Sequence, residues 1–206
     1  MRTSLLALVM CAMIGGVGRA DPGTWFMVEG GLGYGVADAF PEAPTGLSTG
    51  LTLGFGGKPK GWPLRFYGIV NLAWGSYDAD VTSDVDRSTI ARSTFSYSAG
   101  LRVLAPLYRR LRFLSEVTIG GYSVASEAAL ASGAEHVSND DGSFLVGIAA
   151  GLQWRFNLWF SLGARADIQF PTGLSSFDPI AEAAGTPSSN AGASNFLFSL
   201  TATLHL

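Results

Sequence analysis

Few side chains in this 206-residue chain can do chemistry, and their placing narrows what that chemistry is. There are two histidines, His136 in a polar stretch and His205 beside the last residue, and one cysteine, Cys11, in an apolar run near the start. Asp78-x-Asp80 and Asp84-x-Asp86 crowd carboxylates together, but without the ordered spacing, Gly and closing Glu of a calcium loop, so no metal site is expected and the charge reads as solvated. Gly31-x-Gly33-x-Gly35 lacks the helix and lysine of a phosphate loop and reads as one column of small residues on a strand. No cofactor follows from these patterns. What remains is a set of ions inside otherwise apolar, alternating segments: Glu29, Arg65, Arg102, Arg112, Glu116, Arg155, Arg165 and Asp167. Ions so placed pair with one another or face water, and the elements that carry them decide which.

Composition limits those elements. Charged residues are 14% of the chain, against about 25% in an average soluble protein. Gly is 27 of 206, roughly twice the usual share of about 7%. A formal net charge of -3 and this apolar balance exclude a disordered chain, a coiled coil and a nucleic-acid binder. Residues 1–20 have the layout of a secretory signal peptide: Arg2, the apolar run Leu5 to Ile14, then Gly18-Arg19-Ala20 before Asp21-Pro22. Gly15 and Gly16 break the run well short of a membrane-spanning helix, so cleavage after Ala20 is expected, leaving one mature domain over 21–206. Cleavage removes Cys11, and with it any disulfide, zinc–thiolate site or cysteine nucleophile. The mature chain has 11 bases against 16 acids.

No apolar stretch after residue 20 is long enough for a spanning helix. Period-two alternation recurs instead, the mark of strands with two unlike faces. Phe144, Val146, Ile148, Ala150, Leu152 and Trp154 share one face, while Gln153 and Arg155 lie on the other. The following segment opposes Leu158, Phe160, Leu162, Ala164, Ala166, Ile168 and Phe170 to Arg165, Asp167 and Gln169. Eight such segments are expected, at 25–36, 46–56, 62–75, 93–105, 111–123, 143–156, 158–170 and 194–206. Most exceed the 5–6 residues usual for a soluble strand and suit a tilted transmembrane strand of about 9–11. All eight ions named above fall on the face opposite the apolar one. A charge facing lipid at mid-membrane costs about 2–4 kcal/mol, so the apolar face points out and the ions point into a lumen. A soluble calyx reverses this arrangement and would carry Lys and Glu outside, but the only lysines, Lys58 and Lys60, lie between segments.

Long polar connections (37–45, 76–92, 124–142 and 171–193) alternate with the short turns 57–61, 106–110 and one around Phe156-Asn157. In outer-membrane barrels the short side is periplasmic. The long connections carry twelve acids and two bases, Arg87 and Arg92. Aromatic residues gather at segment ends, with Phe26, Trp62, Trp154 and Phe156 at one rim and Trp74 and Phe170 at the other, as interfacial girdles do. Taken whole, residues 24–206 resemble the small eight-stranded outer-membrane β-barrels, the class of the transmembrane domain of outer-membrane protein A. The resemblance implies an all-β, antiparallel up-and-down transmembrane barrel in a Gram-negative outer membrane. It also implies a monomer in contact with outer-membrane lipids and lipopolysaccharide, delivered by periplasmic chaperones and the barrel-insertion machinery. The final strand ends at Leu206, where that class commonly ends in an aromatic residue.

An eight-stranded barrel is just wide enough for side chains to fill. Five inward arginines, three carboxylates and inward glycines such as Gly50, Gly54 and Gly120 suggest a lumen largely plugged by ion pairs, with a structural or surface-interaction role and no catalysis. Two other readings compete. Inward Ile69, Leu104, Leu114 and Leu145 raise a porin-like channel for hydrophobic or small solutes, although charges interrupt them. His136-Val137-Ser138-Asn139 resembles the His-x-Ser-Asn stretch of the outer-membrane lipid A deacylases. That resemblance implies Ser138 as nucleophile, His136 as its base and Glu135 or Asp140 as orienter, though in that family the motif lies near the chain's end.

Overall fold

The computed structural model describes residues 26–37, 45–82, 87–130, 136–172 and 194–206, so the expected signal segment lies outside the described residues. Eight strands follow one another: β1 (Phe26–Ala37), β2 (Thr45–Gly57), β3 (Arg65–Thr82), β4 (Arg87–Tyr108), β5 (Leu111–Leu130), β6 (His136–Arg155), β7 (Phe160–Thr172) and β8 (Asn195–His205). Each pairs antiparallel with the next, and β1 closes on β8 from Met27↔His205 to Ala37↔Asn195. Closure leaves no sheet edge in the shared part of the wall, which a strand in hydrocarbon requires, because lipid cannot satisfy an open backbone. The fold is an eight-stranded up-and-down barrel.

The alternation dictates its surfaces. Leu101, Val117, Ile119, Ile148, Leu152 and Leu200 stand out from the wall, each 45–73% exposed, while Arg102, Glu116 and Gln153 on the same strands are at most 4% exposed. Burial is inverted relative to a water-soluble protein: grease outside, ions inside. Trp62, Trp154 and Phe156 surround the short-turn rim with Phe26, and Trp74 and Phe170 lie at the opposite one, all exposed. Trp74 packs on Phe95 with ring centroids 5.5 Å apart. Tyr97 lies over Gly121, its register partner, where an added Cβ would stand only 2.7 Å from the ring's Cε1.

The strands are unequal. β3 to β6 run 18, 22, 20 and 20 residues, whereas β1, β2, β7 and β8 run 11–13. Much of what reads as loop at 76–92 and 124–142 is strand: the β3–β4 ladder continues to Thr82↔Arg87 and the β5–β6 ladder to Ala129↔His136. Beyond the aromatic rim the outer face carries Asp78, Ala91 and Ser93 in place of grease, so alternation of hydrophobicity stops while the backbone ladder does not. Residues 76–92 contain neither Gly nor Pro to end it and include Val81, Thr82, Thr89 and Ile90, which favour extended backbone. The His136–Asn139 stretch consequently belongs to strand β6, not to a loop, with His136 opposite Ala129 and Ser138 opposite Glu127. The side chains of His136 and Ser138 lie outside the described residues.

A second correction concerns Phe160, assigned by alternation to the outer face but only 2% exposed. The chain reverses tightly at residues 156–159, where the Asn157 Oδ1 accepts from both the Trp159 and Phe160 amides at 2.8 Å, an Asx turn. The reversal starts β7 at Phe160 and tucks its ring against Phe156, with centroids 6.0 Å apart, while Trp159 takes the exposed place. The β4–β5 hairpin has a register shift between Pro106 and Tyr108, where proline cannot donate to the ladder and the strand bulges at the rim.

Candidate functional site

The interior supplies the only dense constellation of reactive groups among the described residues. It begins with adjacency: register sets Arg102 on β4 directly opposite Glu116 on β5, and the Arg102 Nε donates to the Glu116 Oε1. Its two terminal nitrogens cross the lumen to β1, donating to the two Glu29 carboxylate oxygens at 3.0 and 2.7 Å. β4 and β1 are three strands apart, so this fork ties walls that share no ladder. Thr203, the register partner of Glu29 on β8, donates to Glu29 Oε2 at 2.7 Å and itself accepts from Gln153 Nε2 at 2.9 Å. On β7, Arg165 donates its Nε to both Asp167 oxygens at 2.8 Å and sets its Nη1 3.3 Å from Glu116 Oε1 and Oε2.

Two guanidinium groups and three carboxylates from β1, β4, β5 and β7 thus form one brace. Arg102 is 0% exposed and Glu29 2%. Pairing satisfies these charges in a low-dielectric interior, and the bidentate Arg–carboxylate geometry is the strongest form of such a contact. Of the other inward ions, Arg65 is buried, Arg112 half-buried, and Arg155 binds the short-turn backbone, donating to the carbonyls of Asn157 at 2.9 Å and Leu158 at 2.6 Å. Ser161 and His205 Nε2, both wholly buried, meet at 2.8 Å near the same end.

Apolar packing backs the brace on its short-turn side, where Met27, Tyr67, Ile69, Leu104 and Leu114 form a buried cluster. Gly54 makes room for it: a Cβ there would lie 2.6 Å from Met27 Cε. On the other side lies a cavity of about 70 Å³ lined by small polar residues including Ser48, Thr52, Asn71, Ser98 and Thr118. Beyond it a second layer fills the lumen, with Tyr77, Arg92, Tyr122 and Val124 each at most 4% exposed. The Tyr77 ring lies in a recess left by glycines of two strands, where a Cβ on Gly46 would be 2.6 Å from its Cδ1 and one on Gly75 3.0 Å from its Cε2.

Sequence reasoning missed Tyr77 and Arg92, assigning both to a long connection. The available signal was parity. Odd positions Phe95 to Leu101 face out on β4, and counting back in twos from Arg102 reaches Arg92 on the inner face.

No family model and no curated protein matches the chain. Solved structures do. Neisserial surface protein A aligns with a TM-score of 0.52 at 12% identity, covering 88% of this chain and 97% of that one. Ail, the attachment invasion locus protein of Yersinia pestis, aligns at 0.47 with 11% identity, covering 87% and 98%. The outer membrane enzyme PagL aligns at 0.45 with 16% identity, covering 87% and 99%. At such identities the likeness is one of fold: the chain has the architecture of the small outer-membrane barrels.

Proposed function

We infer that this barrel is an integral outer-membrane protein whose lumen is shut to solutes and whose work is structural or done at its outer surface. The observation that carries the reading is the Arg102 fork, which joins Glu29 on one wall to Glu116 beside it and leaves on its far side a cavity of only about 70 Å³. A conducting pore needs a continuous water column, and here ions, a Met–Tyr–Leu cluster and a Tyr–Arg layer interrupt it. The apolar exterior and the exposed aromatic rims support the membrane setting. The short turns mark the periplasmic side, which sends the tall β3–β6 sheet outward past the lipid, as a partner-facing surface requires. In this reading no catalysis is involved, and purified protein releases no fatty acid from lipid A.

Planar bilayers test the closed lumen directly. The wild type should give no stable porin-sized currents, and stable currents of that size would overturn the reading.

A further inference from the structure

The two ends of the barrel differ sharply in charge. Around the short turns, residues 57–65, 105–112 and 155–160 hold seven bases and no acid. Three of those bases turn into the lumen, and the other four, Lys58, Lys60, Arg109 and Arg110, are exposed. They are not spread round the rim. β3 and β4 are neighbours, so the β2–β3 and β4–β5 turns lie side by side, roughly 10 Å apart at two strand spacings. The third turn presents Phe156 and Trp159 instead.

The level of these bases identifies what they meet. The β4–β5 turn is two residues long, so Arg109 and Arg110 stay at the wall's end and do not reach into the periplasm. Beside them Leu107, Tyr108 and Trp62 are 54–61% exposed, the side chains of a membrane interface. The Arg109 guanidinium lies 5.2 Å from the Tyr108 ring centroid, a cation held at the depth of an interfacial ring. The backbone adds an independent sign. Arg109 has φ of 42°, a left-handed position that Gly or Asn takes with less strain, yet a base occupies it.

We propose that Lys58, Lys60, Arg109 and Arg110 form a phosphate-binding rim for anionic phospholipid headgroups in the leaflet at the short-turn end. The proposal rests on the membrane reading above and adds a lipid class and a leaflet to it. The two-residue β4–β5 turn cannot enclose a peptide, whereas headgroup phosphates already lie at this height.

The test refolds the full mature chain into phosphatidylcholine vesicles with or without phosphatidylglycerol, and reads quenching of tryptophan fluorescence by brominated versions of each lipid. Wild type should favour brominated phosphatidylglycerol by about fivefold or more, the effect of roughly one base at an anionic surface, and high salt should reduce that preference. R109G, which relaxes the turn while deleting a charge, should lower the preference with the fold intact. K58Q/K60Q/R109G/R110Q should bring it close to unity. Free glycerol phosphate should not compete, since a site for soluble phosphate would be filled by it. Equal quenching by both lipids in wild type overturns the proposal, as does a preference that survives in the quadruple variant or is abolished by glycerol phosphate. A chain that never enters vesicles of either composition defeats the membrane reading itself, and circular dichroism of the vesicle fraction separates that failure from the others.

Discussion

The two halves of the lumen are filled by different means. Toward the short turns, charge does the joining: Arg102 and Arg165 tie carboxylates from three strands, over an apolar floor of Met27, Tyr67, Leu104 and Leu114. Toward the long strands, shape does it, with Tyr77 set into space vacated by glycines and small hydroxyl residues lining the gap beneath. An ion brace is unforgiving, because removing one member leaves a buried charge without its partner. A ring in a glycine recess is more tolerant, because deleting it removes packing and leaves no carboxylate without its partner.

That contrast breaks most visibly at Arg102. Arg102→Met leaves Glu29 and Glu116 to share Arg165, which is already paired with Asp167, and should cost about 3–5 kcal/mol, read as a lowered urea midpoint in lipid vesicles. Glu116→Ala should act in the same direction without opening a conductance. Adding E29Q and E116Q to R102M removes the stranded charges as well and should recover most of the loss, since buried ion pairs exchange for neutral groups at little net cost. A triple variant as unstable as R102M would show that the brace stabilises through more than mutual satisfaction.

Next comes the tolerant half. Tyr77→Ala should cost about 3 kcal/mol, the low end for a buried aromatic truncation, because it removes packing and leaves no carboxylate unpaired. It should also leave planar bilayers silent, because the brace still bars the lumen. Porin-sized currents from Tyr77→Ala would mean that the outer layer, and not the ions, is the seal.

Much of this architecture was legible from residue order alone. Alternation at Phe144 to Arg155 shows a strand with a greasy face and an ionic one, and once lipid is the solvent the faces have only one assignment. Two things were not legible. Which arginine meets which acid depends on register and on reach across the lumen: Arg102 and Glu29 are 73 residues apart, and no local spacing pairs them. The height of β3–β6 escaped for a different reason. Alternation reports a contrast between two faces, and above the aromatic rim the outer face carries Asp78, Ala91 and Ser93 instead of grease, so the buried Tyr77 and Arg92 have no apolar neighbours to stand against.

A smaller effect is expected where packing meets a flexible neighbour. Gly54→Ala in the charged half puts a methyl against the mobile end of Met27, which can swing away at about 1 kcal/mol. Gly46→Ala in the other half presses on the Ser76 carbonyl oxygen and on the Tyr77 ring, neither of which can swing away, and should cost more, which reverses the ranking of the two halves seen with Arg102 and Tyr77. Urea midpoints of the two glycine variants, measured side by side, decide whether stiffness of the neighbour or the type of half governs the penalty.

The smallest effect lies outside the lumen. Tyr97 covers Gly121 from the neighbouring strand, shielding backbone that would otherwise face the membrane bare. An aromatic cross-strand pair of this kind contributes about 0.2–1 kcal/mol. Tyr97→Ala should therefore lower the midpoint by little, while Gly121→Ala, which drives a methyl into the ring, should lower it by at least as much. In the double variant the two penalties should add to less than their sum, because once the ring is gone the methyl at position 121 meets only lipid. Strict additivity would show that the ring and the glycine act independently, and that the outer face, unlike either half of the interior, is held by lipid contact alone.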